Sequence, residues 1–262
     1  MGKIILKGKP TTITIDKRKE EVIVLANEKF ERFNPHLLGL GDIRMPSKQI
    51  EALAATFDLS GFTNFCSQVD PHLSVPEYLS RFLDWLFDAI KMELVAKTYR
   101  DRKALWAELP FLAKFLGDGA LFLWDTRNMS ETLICNIVGI ILTICEEYRD
   151  IFYPEIRKIV VGPPYQLRCG IARGRVFSVG NGQDYVGPCI NIASRLQKLS
   201  LLTFCLPRRG FNISKYMDVS FHNIFVEKSA MIRGIGESEL VWVLKEEFDQ
   251  LPAEEKKLFG EP

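Results

Sequence analysis

Short apolar runs alternate with longer amphipathic stretches along the chain from Ile50 onward. The run from Leu53 to Leu59 is short and almost continuously apolar, so it predicts a buried strand. In the stretch from Val75 to Lys97, apolar residues recur every three or four positions, which predicts an amphipathic helix. These apolar positions are Leu79, Phe82, Leu83, Leu86 and Ile90.

Two further apolar runs, Phe111 to Leu116 and Ala120 to Trp124, are joined by Gly117-Asp118-Gly119. Glycine accepts positive φ without a Cβ clash, so this junction predicts a β-hairpin. The hairpin would place the Asp118 carboxylate at its turn.

The remaining pattern completes an alternating set of strands and helices. We predict a helix over Met129 to Tyr148, a hairpin around Arg173-Gly174, a helix over Asn191 to Leu199 and two terminal strands. The hairpin strands are Gln166 to Ile171 and Arg175 to Val179, and the terminal strands lie near Ser220 to Val226 and Leu240 to Leu244. The first six elements follow the order βαββαβ, which predicts an α+β, ferredoxin-like sheet flanked by helices.

The first 45 residues lack this regular pattern. They contain a β-leaning segment from Thr11 to Ile15, a charged run from Asp16 to Glu21 and turn signals at Asn34-Pro35 and Gly39 to Gly41. We therefore predict an irregular N-terminal extension over residues 1–45 and one domain over residues 46–262.

The composition limits the kinds of partner that the chain is expected to bind. The chain has 34 Lys and Arg against 33 Asp and Glu, so it lacks the basic field that favours nucleic-acid binding. The most apolar stretch, Leu133 to Cys145, is shorter than the roughly 20 residues needed to cross a bilayer. No signal peptide opens the chain, and the six cysteines include no C-x-x-C pair. We expect a cytoplasmic protein with reduced thiols, without a membrane or nucleic-acid partner.

The strongest candidates for chemistry are two aspartates. Asp58 closes an apolar strand, and Asp118 lies at the predicted hairpin turn, so a ferredoxin-like sheet can make them neighbours. Two close carboxylates repel each other, and divalent cations relieve that repulsion. The pair therefore indicates Mg²⁺ or Mn²⁺ and phosphoryl chemistry. The alternative from the residues alone is a helix cap at Asp58 and an ordinary turn at Asp118.

Four separated motifs resemble, in order, those of class III adenylate and guanylate cyclases. The resemblance covers roughly Ala52 to Leu244. The motifs are Phe57-Asp58-Leu59-Ser60-Gly61-Phe62-Thr63, Lys114-Phe115-Leu116-Gly117-Asp118-Gly119, Leu167-Arg168-Cys169-Gly170-Ile171 with Gly174-Arg175-Val176, and Asn191-Ile192-Ala193-Ser194-Arg195. The resemblance implies conversion of a nucleoside triphosphate to a 3′,5′-cyclic monophosphate and pyrophosphate.

The resemblance also implies a role for each matching residue. Asp58, Asp118 and the Leu59 carbonyl would hold two Mg²⁺ or Mn²⁺ ions per site. Asn191 and Arg195 would be catalytic, with Asn191 orienting the ribose and Arg195 neutralising charge on the α-phosphate. Arg168 and Arg233 would bind substrate phosphates. Arginines on a strand or at the surface are also common without such a role.

Lys114 and Asp184 match the pair that reads the base in adenylate cyclases. Lysine donates and ionised aspartate accepts, which suits the ring nitrogen and exocyclic amine of adenine. Cytosine offers the same pattern, and uracil fits if Asp184 accepts from the ring N–H. The hydrogen-bond pattern therefore leaves the base open.

One departure from the usual family pattern is Gly187-Pro188-Cys189-Ile190 before Asn191, where an Asp usually follows the glycine. With Phe57, the Asp70-Pro71-His72 segment and the N-terminal extension, the chain resembles the Pycsar pyrimidine cyclases of anti-phage defence. That resemblance implies UTP or CTP as substrate and cUMP, or cCMP, as a second messenger for a separate effector. It also implies a homodimer in which Asp58, Asp118 and Arg168 of one subunit face the nucleotide-binding residues of the other.

Three alternatives remain open at this point. An adenylate cyclase making cAMP would keep the enzyme class and change the base. An inactive cyclase-homology module would bind nucleotide without turnover. A palm-type polymerase or cyclic-dinucleotide synthase would share the two-metal βαββαβ arrangement but leaves Asn191 and Arg195 without a role.

Overall fold

The computed structural model describes residues 9–15, 18–199, 201–217, 223–232 and 238–262. It divides into two compact units. One comprises residues 1–48 and 177–186, and the other comprises residues 49–176 and 187–262. The domain boundary after residue 45 stays a prediction.

The larger unit is built on a sheet with strand order β13-β11-β12-β10-β8-β3-β7-β6. These strands are β3 (Gln49–Ser60), β6 (Leu112–Phe115), β7 (Gly119–Asp125), β8 (Gln166–Val179), β10 (Phe204–Pro207), β11 (Phe225–Met231), β12 (Ser238–Leu244) and β13 (Phe259–Gly260). β3 pairs antiparallel with β7 and β10 pairs parallel with β8. The larger unit also has a separate hairpin of β4 (Val95–Thr98) and β5 (Lys103–Leu105).

Helices cover this sheet because each strand sends alternate apolar side chains to opposite faces. The helices of the larger unit are α2 (Phe62–Phe65), α3 (Pro71–Glu93), α4 (Glu131–Glu147), α5 (Tyr153–Ile156), α6 (Pro188–Leu196), α7 (Ile213–Tyr216), α8 (Lys245–Gln250) and α9 (Ala253–Lys256), with a π-helical turn at Tyr148–Phe152. Leu53 and Phe57 join the main core with α3 and α4, whereas Leu196 of α6 packs with Val241 and Val243 in a second core. The predicted α+β sheet flanked by helices is confirmed.

The smaller unit contains the hairpin of β1 (Lys9–Ile15) and β2 (Arg18–Val24), helix α1 (Asn27–Glu31) and a 3₁₀ turn at Pro35–Leu38. It also contains β9 (Asp184–Val186), which pairs with the last three residues of β8. The prediction of irregular structure here is wrong for β1 and β2. Their β-branched residues pair in register from Lys9 opposite Val24 to Ile15 opposite Arg18, which supplies the regularity.

The predicted hairpin around Arg173-Gly174 is wrong, because Gln166 to Val179 form one continuous strand. A two-residue hairpin needs positive φ, and Gly174 is absent from the glycines that adopt it. A Cβ on Gly174 would lie 3.5 Å from the Cβ of Cys189, at the start of α6. Gly174 therefore makes no turn. It lies within a strand, where its missing side chain lets the start of α6 pack closely.

Other boundaries also differ from the sequence prediction. Helix α3 ends at Glu93 instead of Lys97, because Val95 to Thr98 pair with β5. Helix α6 spans Pro188–Leu196 instead of the predicted Asn191 to Leu199. It begins earlier because proline suits the first turn of a helix. Strand β11 begins at Phe225, and residues 220–222 of the predicted strand lie outside the described residues.

The apolar stretch from Leu133 to Cys145 lies within α4, and most of its residues are buried in the core. Within the described ranges, no helix has both the length and the apolar character that crossing a membrane requires. All six cysteines are free thiols, and five of them are buried. Burial raises the pKa of Cys135 and of Cys189 to about 11, so both thiols are protonated at neutral pH.

Candidate active site

Asp58 and Asp118 meet where β3 runs beside β7. Asp58 lies opposite Gly119 in the antiparallel register, and the Leu59 N–H donates to the Asp118 carbonyl at 2.9 Å. The close approach depends on Gly119, because a Cβ there would lie 1.9 Å from the Phe57 carbonyl oxygen. The sequence-predicted turn is confirmed, with Gly117 at φ 98° immediately before Asp118.

Arg168 reaches the same place from β8. Its Nη2 donates to Oδ2 of Asp58 at 2.5 Å, and the side chains are 17% and 6% exposed, respectively. Such a largely buried carboxylate requires a partner, and the guanidinium supplies one. The structure thus brings together Asp58, Asp118 and Arg168, three of the predicted site residues.

The loop after Asp58 is also held in place. Ser60 Oγ donates to the Tyr165 hydroxyl at 3.2 Å, and a Cβ on Gly61 would lie 3.6 Å from the Tyr165 ring. Gly61 has φ 85°, which turns the chain from β3 into α2. Sequence reasoning included Ser60 and Gly61 in the motif but missed Tyr165, which no motif marks.

The two aspartates and Arg168 line a pocket of about 250 Å³. The lining residues are Asp58, Leu59, Gly61, Phe62, Thr63, Asn64, Asp118, Arg168 and Lys198. Asn64 and Lys198 are the lining residues that lie outside every motif singled out from the sequence. Larger pockets elsewhere in the unit, such as one of about 400 Å³ beside Tyr165 and Glu247, contain none of the predicted site residues.

The donor set of this pocket fits a hard divalent cation. Two carboxylates and the main-chain carbonyl of Leu59 offer the oxygen ligands that Mg²⁺ and Mn²⁺ prefer. Among the described residues, no group of three or more His, Cys, Asp or Glu side chains forms a cage for a metal ion. Any ion here would therefore keep ligands from water or substrate, as Mg²⁺ usually does.

The other predicted residues that the structure describes lie outside this pocket. Asn191 and Arg195 are exposed on α6, four positions apart, and Lys114 is exposed on the edge strand β6. Asp184 lies on β9 in the smaller unit, where its carboxylate accepts from the Tyr185 N–H at 2.8 Å. Arg233 lies outside the described residues.

Comparison with known proteins gives a match in structure alone. No family model matches the chain, and no curated protein matches it. The adenylyl cyclase CyaB from P. aeruginosa superposes with a TM-score of 0.57 at 12% identity, covering 76% of this chain and 96% of that one. The chain has the fold of a nucleotide cyclase catalytic domain.

Two other solved structures share this cyclase fold. The guanylyl cyclase Cya2 matches with a TM-score of 0.56 at 16% identity, covering 76% of this chain and 94% of that one. The catalytic core of a rhodopsin-guanylyl cyclase with converted specificity, solved with ATPαS, matches with a TM-score of 0.52 at 18% identity, covering 76% and 98%. The predicted cyclase fold is therefore confirmed, while the assigned roles of its residues stay predictions.

Proposed function

We propose that this chain is a nucleotide cyclase. The main support for the proposal is that Asp58, Asp118 and Arg168 line the same pocket in a chain that has the cyclase fold. A pair of carboxylates beside a guanidinium suits a polyphosphate substrate with divalent cations. In the reaction, the 3′-oxygen bonds to the α-phosphorus, the 3′-hydroxyl loses its proton, and the bond to pyrophosphate breaks.

The carboxylates of Asp58 and Asp118, with the Leu59 carbonyl, would hold two Mg²⁺ or Mn²⁺ ions. When bound, such ions supply Lewis acidity toward the 3′-hydroxyl and the phosphates. Arg168 binds phosphate oxygens, which its planar fork suits. Arg233 binds the triphosphate in the same proposal.

Asn191 and Arg195 act on the site of a second subunit in this proposal. Both are exposed on α6 and absent from the lining of their own pocket, as residues of a composite homodimer site would be. Asn191 orients the ribose, and Arg195 neutralises charge that develops on the α-phosphate. Lys114 and Asp184 read the base.

We further propose a pyrimidine triphosphate as substrate, with cUMP favoured over cCMP as product and signalling in anti-phage defence as the role. This finer proposal is supported by the resemblance of the Phe57 and Gly187-Pro188 segments to the Pycsar cyclases. The structure adds that Pro188 opens α6 three residues before Asn191. An adenylate cyclase with the same Lys114 and Asp184 pair is the competing substrate assignment.

The test is incubation of the purified full chain with ATP, GTP, CTP and UTP separately in Mn²⁺ and in Mg²⁺, with mass spectrometry of cyclic monophosphates. Cyclic UMP or CMP supports the pyrimidine proposal, and cyclic AMP or GMP alone contradicts it while supporting the cyclase. No cyclic product from any triphosphate contradicts the catalytic proposal.

The variants Asp58→Asn and Asp118→Asn test the metal assignment, with whichever triphosphate the wild type cyclises. Each removes one carboxylate charge and keeps the side-chain shape, so we expect turnover to fall on the order of a thousandfold. Asp88→Asn is the matched control, because Asp88 is an exposed carboxylate on α3 that pairs with Lys91 at 2.5 Å. Full activity in either site variant, or an equal loss in the control, contradicts the metal assignment.

A further inference from the structure

The Asp58 pocket contains a second cation, Lys198, besides Arg168. Arg168 uses Nη2 for its ion pair with Asp58. The ammonium of Lys198 is exposed, and in the described part of the chain no acidic side chain pairs with it. A lysine whose three donors have no acidic partner in that part of the chain is available to an anionic ligand.

The position of Lys198 follows from close packing between α6 and β8. A Cβ on Gly170 would lie 2.1 Å from the Ala193 carbonyl oxygen and 2.5 Å from the Gln197 nitrogen. The missing side chain of Gly170 therefore lets the end of α6 lie directly on the strand. Gly170 and Arg168 are two positions apart on β8, so both face the same side of the sheet.

The end of α6 is itself fixed at this point. Gln197 is 3% exposed, its N–H donates to Ala193 at 3.2 Å, and the Lys198 N–H donates to Arg195 at 3.1 Å. The backbone that carries Lys198 is thus fixed by hydrogen bonds, while its side chain is exposed and lines the pocket. A flexible stem ending in a point charge suits recognition of phosphate more than recognition of a base edge.

The size of the pocket supports the same conclusion. At about 250 Å³ it is smaller than the roughly 300 to 1,000 Å³ of ordinary small-molecule sites. A volume of this size suits a polyphosphate chain better than a whole nucleotide, because the ribose and base need additional space.

We propose that Lys198 binds the triphosphate in the pocket of its own chain, beside Asp58, Asp118 and Arg168. This proposal rests on the proposed cyclase function and adds a residue to it. Helix α6 then contributes to two sites, because Lys198 acts in its own subunit while Asn191 and Arg195 act across the dimer. Charge on the β- and γ-phosphates is the feature that Lys198 recognises.

The test is calorimetric binding of inorganic tripolyphosphate in Mg²⁺ to the full-length wild type, Lys198→Ala, Lys198→Arg and Lys91→Ala. We expect Lys198→Ala to weaken binding about tenfold, as loss of a charge-assisted hydrogen bond does. Lys198→Arg should restore most of the affinity. Lys91→Ala should bind like the wild type, because Lys91 is exposed on α3 and paired with Asp88. The difference between wild type and Lys198→Ala should shrink at high salt.

The outcomes separate this proposal from the cyclase proposal. Equal affinity of wild type and Lys198→Ala overturns the role of Lys198 and leaves the cyclase untouched. Lys198-dependent binding without any cyclic product supports a phosphate site and contradicts the cyclase. Wild type that binds no tripolyphosphate overturns the phosphate-binding role. With the active substrate, Lys198→Ala should raise KM more than it lowers kcat, and wild-type KM in this variant also overturns the proposal.

Discussion

The two groups of residues that the proposed reaction uses are held very differently. Asp58 and Arg168 are largely buried, ion-paired and supported by neighbouring backbone, and they line one pocket with Asp118. Asn191 and Arg195 are exposed on α6 and line no part of that pocket. The first group belongs to the folded core of a single chain, whereas the second contributes little to the fold. In the composite dimer site proposed above, the second group would act on the substrate of the partner subunit.

Complementation between two inactive chains gives the largest expected effect. Asp58→Ala and Asn191→Ala should each be inactive as homodimers. Mixed dimers should regain activity, because one of their two sites combines an intact Asp58 with an intact Asn191. Random mixing makes half of the dimers mixed, so about a quarter of wild-type activity is expected in a cyclic-nucleotide assay.

The same mixture locates Lys198. Lys198→Ala should reduce the recovered activity when it is added to the chain that keeps Asp58, and have little effect in the other chain. The opposite pattern would place Lys198 in the site of the partner subunit. No recovery in the parent mixture, with mixed dimers verified by mass, would contradict the composite site.

Replacing one arginine of each group by alanine should lower the stability of the protein in the first group but not in the second. Arg168→Ala leaves the Asp58 carboxylate buried without its guanidinium, which should lower the free energy of unfolding by about 3 kcal/mol. Arg195→Ala removes an exposed side chain and should leave stability unchanged, while it abolishes turnover. Urea unfolding of both variants with the wild type measures the difference. Equal stability losses would show that the two groups are not held differently.

Glycine substitution tests the junction that brings the two aspartates together. Gly119→Ala places a Cβ against the Phe57 carbonyl and should cost about 3 kcal/mol of unfolding free energy. Gly117→Ala meets no atom within 4 Å but forces alanine to positive φ, so it should cost about 1 kcal/mol. Thermal or urea unfolding gives both values. A larger loss at Gly117 would contradict the close approach of β3 and β7.

Local sequence patterns predicted much of the fold. The apolar run at Leu53 to Leu59 and the Gly117-Asp118-Gly119 turn both lie where the pattern predicts, because strand alternation and positive φ are local properties. The Arg173-Gly174 prediction failed for the opposite reason. A glycine in a strand can serve either a turn or the close approach of another element, and only the partner element distinguishes them.

The sequence by itself predicted β3, the long helices α3 and α4, the hairpin of β6 and β7, and the identity of the candidate reactive groups. The charges of Asp58, Asp118 and Arg168, and the places of the two aspartates at a strand end and a turn, are readable without coordinates. Tertiary structure alone decided that Arg168 pairs with Asp58 and that Lys198 joins them. These contacts span long stretches of chain and depend on backbone separations at Gly119 and Gly170 where a side chain would clash. No local pattern encodes such separations, because they arise only when distant segments pack together.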